Sequence, residues 1–213
     1  MIITILTDNE KSWFIPYAIK LKNELIQLGH NVDFVTDKNH IIKRGDVCFL
    51  LSCIRIIEKE YLELNKNNIV VHASDLPKGK GFSPLKWQIL EGKNEIVLTL
   101  FEVVEKVDSG PYYLKETIYF EGHELLDEMR EIMVEKIISM CKTFLNNYKN
   151  LKPIPQSGEE TFYRRRNKKD DEIDPDKTIA EQFNHFRIAD NDMFPIYFFY
   201  KGHKYILKIY KEK

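Results

Sequence analysis

Hydrophobic positions along the chain switch repeatedly between two periods. Residues 2–6 form a short β-branched run that stops at Thr7-Asp8-Asn9, which predicts a buried first strand delivering a polar loop. Phe14, Ala18, Ile19, Leu21, Leu25 and Leu28 then recur at helical spacing, and Gly29 supplies a C-terminal cap. Residues 31–35 (NVDFV) predict a second strand. Residues 46–52 (DVCFLLS), almost continuously apolar, predict a third strand covered on both faces. A short helix is expected over 58–66 and a fourth strand over 69–72 (IVVH). A Pro/Gly-punctuated loop follows, then a helix opening at a proline over 84–91 and strands over 95–104 and 111–118. Residues 123–148 carry Leu126, Met129, Met133, Ile137, Met140, Cys141, Phe144 and Tyr148, the best amphipathic helix of the chain. Beyond it come a charged connection over 150–177, a helix over 178–189 burying Ile179, Phe183 and Phe186, and a hairpin over 195–210 around Lys201-Gly202. The aromatic residues of that hairpin are expected to pack on the main body.

Strand–helix–strand alternation is the signature of an α/β open sheet, whose working residues gather at the carboxyl ends of the strands. Asp8, Ser52 and His72 fall at such ends. No GxGxxG follows the first strand, so the dinucleotide fingerprint is missing. The division expected is a catalytic sheet domain over 1–150 and an extension over 151–213.

Composition narrows the class. The chain has 213 residues, with 32 Lys+Arg against 33 Asp+Glu, a formal net charge of −1. That balance argues against bulk attraction to a polyanion. Cys48, Cys53 and Cys141 form no CxxC pair, and buried thiols in a reducing compartment are expected. The start of the sequence lacks a signal-peptide pattern and no apolar run approaches the ~20 residues of a membrane span, so a cytoplasmic protein without a membrane partner is expected. His30, His123, His185 and His203 show no ligand spacing, so no metal is expected.

The candidate chemistry is an imidazole and a carboxylate on loops. His72 ends a strand, and a lone histidine there is as often structural as catalytic. Asp108 sits in the turn VDSGP, where an Asp before Gly is ordinary. Together, on a sheet of this kind, the two fit a site. Asn9 and Trp13 follow the first strand and could line its mouth, although a tryptophan there is more often core. Lys78, Gly79 and Lys80 in PKGKG could face a diphosphate or be a solvated loop. Arg164, Arg165 and Arg166 are expected to pair with the acidic run at 170–176 rather than with phosphate.

Two linked segments carry a likeness. VHASDLPKGKGFSPLKWQILEGK and LTLFEVVEKVDSGPYYLKETI, with His72 and Asp108 36 residues apart, resemble the core signature of the folate-dependent formyltransferases. VCFLLSCIRII resembles the stretch before that family's histidine, and the likeness covers roughly residues 1–145. It implies a Rossmann-like open sheet of the formyltransferase type with a small C-terminal helix and hairpin. It implies a formyl donor, 10-formyltetrahydrofolate, and a catalytic pair in which His72 stabilises an oxyanion while Asp108 orients it and assists proton transfer. The pterin would dock at Arg55, Ile56 and Ile57 and at Glu102, Val103, Val104 and Lys106. Two departures stand out: Val70 where the family has Asn, and Asp75 where it usually has Leu. Asn68, Ser74, Asn94 or a backbone amide could replace the lost donor, with Ser74 leaned to.

FYRRRNKKDDEIDPDKTIAEQFNHFRI and the KGHKYILKI hairpin resemble the nucleotide-sugar N-formyltransferases. Within these the likeness is to the kind that formylates UDP-4-amino-4,6-dideoxy-N-acetyl-altrosamine in pseudaminic acid pathways, where Val recurs at the Asn position. That implies a UDP-linked aminosugar acceptor, with dTDP as the other option, and a homodimer without a nucleic-acid partner. The alternatives are a different amine (methionyl-tRNA or glycinamide ribonucleotide), a formyltetrahydrofolate hydrolase, or a non-catalytic binding relative. Charge and a short tail argue against tRNA.

Overall fold

The apolar runs need two covered faces, and the chain meets that need by winding them into one sheet. The structure is a computed structural model and describes residues 1–41 and 44–212. The first half runs β1 (Ile2–Leu6), α1 (Ile15–Gln27), β2 (Asn31–Val35), β3 (Gly45–Leu50), α2 (Lys59–Leu62) and β4 (Asn65–His72). Then come β5 (Lys80–Gly81), α3 (Pro84–Leu90), β6 (Glu95–Glu102), β7 (Tyr112–Tyr119) and α4 (Leu126–Asn146). The remainder is β8 (Phe162–Tyr163), α5 (Phe183–Arg187), β9 (Ile196–Tyr200) and β10 (His203–Leu207). Among the described residues, six strands form the main sheet in the order β2-β1-β3-β4-β6-β7. The first four are parallel, and β6 and β7 return antiparallel. This is the α/β open sheet that the alternation predicts, in the Rossmann-like form that the resemblance implies.

Register brings the strand ends level. Leu6 pairs with Val35 and Leu50, and Leu50 pairs with Val70. Thr7, Leu51 and Val71 therefore leave the sheet side by side, and the loops carrying Asp8, Ser52 and His72 share one edge. The odd-numbered apolar residues of β1, β3 and β4 pack under α1 and α4, through Ala18, Leu21, Leu25, Met129, Ile137 and Phe144. The opposite face is smaller. Leu6, Cys48, Leu50 and Ile57 are buried there, with Val70 and Val103 packed against them.

Several sequence expectations need correction. The helix over 58–66 is only Lys59–Leu62, and β4 begins at Asn65 instead of residue 69. Three asparagines disguise that strand: Asn65, Asn67 and Asn68 pair with β3, and the Asn67 and Asn68 side chains bond Glu102 and Leu62. The helix over 178–189 is a single 3-10 turn followed by α5, and Ile179 is 66% exposed instead of buried. Packing there is set by Phe186, Ile188 and the ion pair of Arg187, 1% exposed, with Glu124 at 3.2 Å. Ile179 lies one turn before that contact. The hairpin forms as expected, but its aromatics largely do not pack on the body. Ile196 and Tyr197 are buried at its base, while Phe199, Tyr200 and Tyr205 are exposed. A two-stranded ribbon has one end on the body, and the rest of it faces solvent. Cys48 and Cys141 are buried and Cys53 is half-buried, all three as free thiols. Burial pushes the Cys53 thiol up to about 12. No described helix is long and apolar enough to cross a membrane.

Candidate active site

His72 and Asp108 come together although β5, α3 and β6 separate them in sequence. The His72 Nε2 lies 4.0 Å from an Asp108 carboxylate oxygen and donates to the Gly79 carbonyl at 2.8 Å. That carbonyl can only accept, so it fixes the tautomer with the proton on Nε2. The carboxylate is held by the Gly81 N–H at 2.8 Å. Asp108 has φ +50°, a left-handed conformation in a tight turn. Gly110 lets that turn close, because a Cβ there would stand 1.7 Å from the Glu102 carbonyl oxygen. Gly81, at φ +98°, has a parallel reason: β5 runs so close to β8 that a Cβ would lie 2.3 Å from the Tyr163 carbonyl.

A strand-like strap from the C-terminal connection holds both loops. The Gln156 amide donates to the carbonyls of Asp108 (3.0 Å) and Gly110 (2.7 Å). Gly79 N–H donates to the Thr161 hydroxyl, and Lys80 N–H donates to the Thr161 carbonyl. The Lys80 ammonium pairs with Glu160 at 2.7 Å and donates to the Ser109 hydroxyl at 3.0 Å. This corrects the reading of PKGKG. Lys80 is 1% exposed and faces no ligand, and the Gly79 amide is already engaged. Lys78 alone is solvated. Asp75 has a structural use, pairing with Lys115 of β7 at 2.5 Å. The arginine run pairs within the chain as expected, Arg164 with Asp170 and Arg166 with Asp171.

The two segments assigned to the donor meet over the smaller apolar face. Ile57 and Val103 join one cluster there, and Lys59 pairs with Glu105 at 3.4 Å. The first segment is fixed by Asp8, 7% exposed, whose carboxylate accepts from Ile54 N–H (2.9 Å) and Arg55 N–H (2.7 Å). Ile56, 70% exposed, and the exposed Val104 present apolar side chains to solvent beside these loops. The Glu102 side chain is turned away from this face. Its carboxylate is bonded to Asn68 N–H, the Asn67 amide and the Tyr113 hydroxyl, and burial raises its pKa. The Lys106 side chain is solvated, 3.6 Å from Glu160.

On the other side of His72 opens a cavity of about 280 Å³ whose lining includes Trp13, Ser52, His72, Ser83, Lys86 and Arg130. Ser52 and Ser83 both hold positive φ, +59° and +52°, and strained serines at a cavity mark a place where backbone geometry serves a site. Trp13 lines this cavity as expected, with the Arg130 guanidinium 4.7 Å from its ring. Asn9 lies outside the lining, its side chain capping Lys11 N–H. Lys86, Arg130, Gln156 and Thr161 were not anticipated. Their only sequence signal was a cation or amide in an otherwise amphipathic or charged stretch.

A family model described as formyl transferase matches residues 16–140, a span that contains both His72 and Asp108. The chain belongs to that family. A methionyl-tRNA formyltransferase of Caldicellulosiruptor saccharolyticus is 28% identical over 203 residues, 92% of this chain and 63% of that protein. The chain thus spans less than two thirds of the length of the curated relatives it first matches. Among solved structures, a methionyl-tRNA formyltransferase from Clostridium thermocellum aligns with TM-score 0.84 at 24% identity, covering 100% of this chain and 94% of that one. HypX from Aquifex aeolicus in complex with tetrahydrofolic acid aligns at 0.82 and 18%, covering 98% and 37%. A sugar N-formyltransferase from Shewanella sp FDAARGOS_354 aligns at 0.73 and 14%, covering 99% and 98%. All three share the fold.

For a formyl transferase, the departure at Val70 has a clear structural consequence. Val70 packs on the smaller apolar face with Leu50 and Ile57 and offers no donor. Two of the three side-chain substitutes are engaged elsewhere. Asn68 bonds the Leu62 carbonyl and Asn94 the Arg187 guanidinium. The Ser74 hydroxyl is buried beside Gly79 without a hydrogen-bond partner and outside the cavity lining.

Proposed function

We propose that this formyl transferase moves a formyl group from 10-formyltetrahydrofolate to the amine of a nucleotide-linked aminodeoxysugar. The observation that carries the reading is the His72–Asp108 pair, 4.0 Å apart, set between an apolar two-loop face and a separate cavity. Such a pair has one side for a donor and one for an acceptor. As the amine adds to the formyl carbon, charge gathers on the formyl oxygen, and the Nε2 proton of His72 can turn from the Gly79 carbonyl to meet it. Asp108 orients the imidazole and takes up the proton that the amine must lose. The intermediate then collapses, the carbonyl re-forms, the bond from the formyl carbon to the folate nitrogen breaks, and that proton passes to the departing nitrogen, releasing tetrahydrofolate and the formamide. Backbone recognition by residues 55–57 and 102–106 suits a pterin, whose edge carries donors and acceptors. HypX with tetrahydrofolic acid bound supports a folate at a fold of this kind. The Shewanella sugar enzyme, aligned over 98% of its length, supports a sugar acceptor. The reading includes a homodimer, for which the exposed Phe199, Tyr200, Tyr205 and Ile206 offer apolar surface.

The test is a panel of UDP- and dTDP-linked aminodeoxysugars with 10-formyltetrahydrofolate, following tetrahydrofolate release and product mass. His72→Ala and Asp108→Ala are expected to lose about 10²-fold or more in kcat with unchanged circular dichroism. Activity within a few-fold of wild type in both would remove the pair from the chemistry. A second reading, transfer to methionyl-tRNA, is favoured by the sequence relatives and is weighed below.

A further inference from the structure

The cavity in front of His72 holds a cation that the fold does not use. Lys86 stands on α3, half-buried, and lines that cavity with His72, Ser52, Ser83, Trp13 and Arg130. The charged groups facing it are otherwise paired. Arg130 of α4 binds Asp190 at 2.8 Å, and Arg166 of the C-terminal connection binds Asp171 at 2.6 Å. Lys86 has neither ion pair nor hydrogen bond among the described residues, and the recorded contact of its ammonium is the Phe194 ring at 6.0 Å. Arg130 also reaches the exposed Asp127 at 3.1 Å, so both guanidinium groups have carboxylate partners and Lys86 alone keeps an unpaired positive charge beside His72.

An ammonium in that position is costly to keep. Burial first, then the Arg166 and Arg130 guanidinium groups, push it down to about 8, against the opposing pull of Asp190 and Asp171. A half-buried cation among cations is stabilised only when an anion arrives.

We propose that Lys86 is the anion-recognition residue of the acceptor site, pairing with a phosphate oxygen of the acceptor in the cavity beside His72. This rests on the formyl-transfer reading and names the part of the acceptor that the cavity holds. The cavity, at about 280 Å³, is at the small end of ligand pockets, so it suits one phosphorylated or sugar-sized group with the rest of the acceptor outside. Lysine is a compact point charge suited to phosphate. The Ser83 hydroxyl lines the same cavity, and Trp13 gives an apolar wall for a ring. Lys86 takes the role that PKGKG could not, since Lys80 is closed in its pair with Glu160.

The test titrates the full chain with UDP, dTDP and inorganic pyrophosphate by calorimetry, for wild type, Lys86→Gln and Lys86→Arg, with tetrahydrofolate as control. Wild type binds at least one of the three anions. Lys86→Gln weakens that binding about tenfold or more, the loss of one charge-assisted contact. Lys86→Arg keeps it within about threefold, and all three proteins bind tetrahydrofolate equally. Wild-type affinity falls from about pH 7 to about pH 9 as the free lysine loses its proton, while Lys86→Arg stays flat. Absence of anion binding, or equal binding by wild type and Lys86→Gln, overturns the proposal. The two readings separate cleanly. Anion binding through Lys86 without formylation of any aminosugar would sink the acceptor assignment alone. Formylation with an unchanged acceptor KM in Lys86→Gln would sink the lysine alone.

Discussion

Asp8 shows how a single buried carboxylate can shape a site without touching a substrate. It lies two residues beyond β1, yet the three hydrogen bonds of its carboxylate all go to the loop after β3. Replacing it by alanine leaves the N–H groups of Ile54 and Arg55 without a partner, and each bond to a charged acceptor contributes about 1.5–3 kcal/mol. Asp8→Ala is therefore expected to raise the KM for the folate about tenfold or more, with a smaller effect on kcat at saturating folate. Steady-state kinetics with each substrate varied would check this. An unchanged folate KM would mean that the loop holds its shape alone. In the sequence Asp8 was visible only as a polar strand end. His72 and Asp108 were easier to pick out because two motifs at a fixed spacing carried them together. Lys80 was misread for the opposite reason. Its partner Glu160 lies 80 residues on, and no local pattern announces such a pair. The strand position of Glu102 was legible, but the partners of its side chain, Asn67 and Tyr113, depend on sheet register.

At the scale of elements, the strongest apolar runs became strands and helices as expected, because burial on a pleated or helical face is a local signal. The weak segments were decided by tertiary contact. β4 extends backwards through polar asparagines because β3 offers a ladder, and the two residues of β8 form a strand only because β5 lies alongside. The strap over 154–163 is the consequence with most bearing on the site. It reads in the sequence as a charged, Pro- and Gly-interrupted connection, yet it bonds the His72 side through Thr161 and the Asp108 side through Gln156. Asp108 sits at positive φ, so its turn needs such restraint. Gln156→Ala removes two hydrogen bonds from that turn. It should lower kcat by about tenfold, with a loss of about 1–3 kcal/mol in stability. Hydrogen exchange should rise selectively over residues 103–111. Faster exchange spread over the whole sheet would assign Gln156 to global stability instead.

The whole molecule bears on the choice of acceptor. Its net charge is −1, and many of its basic side chains are already paired: Lys80, Arg130, Arg164, Arg166 and Arg187 all meet carboxylates. A tRNA acceptor would need several cations free to displace counterions from successive phosphates, with affinity falling steeply in salt. A small phosphorylated acceptor needs one or two, which is what the Lys86 cavity has to offer. The curated relatives named for methionyl-tRNA are longer than this chain, whereas the Clostridium thermocellum structure of that name is matched over 94% of its length, so length does not decide the acceptor. Competition decides between the two. At physiological salt, excess initiator tRNA is expected to leave formylation of a UDP-linked aminosugar unchanged. Methionyl-tRNA should be formylated with a kcat/KM at least about 10²-fold lower, a gap of about 3 kcal/mol in transition-state stabilisation. The reverse ranking, with a log–log salt slope of several units, would give the site to tRNA and require a basic surface assembled outside the pairs described above.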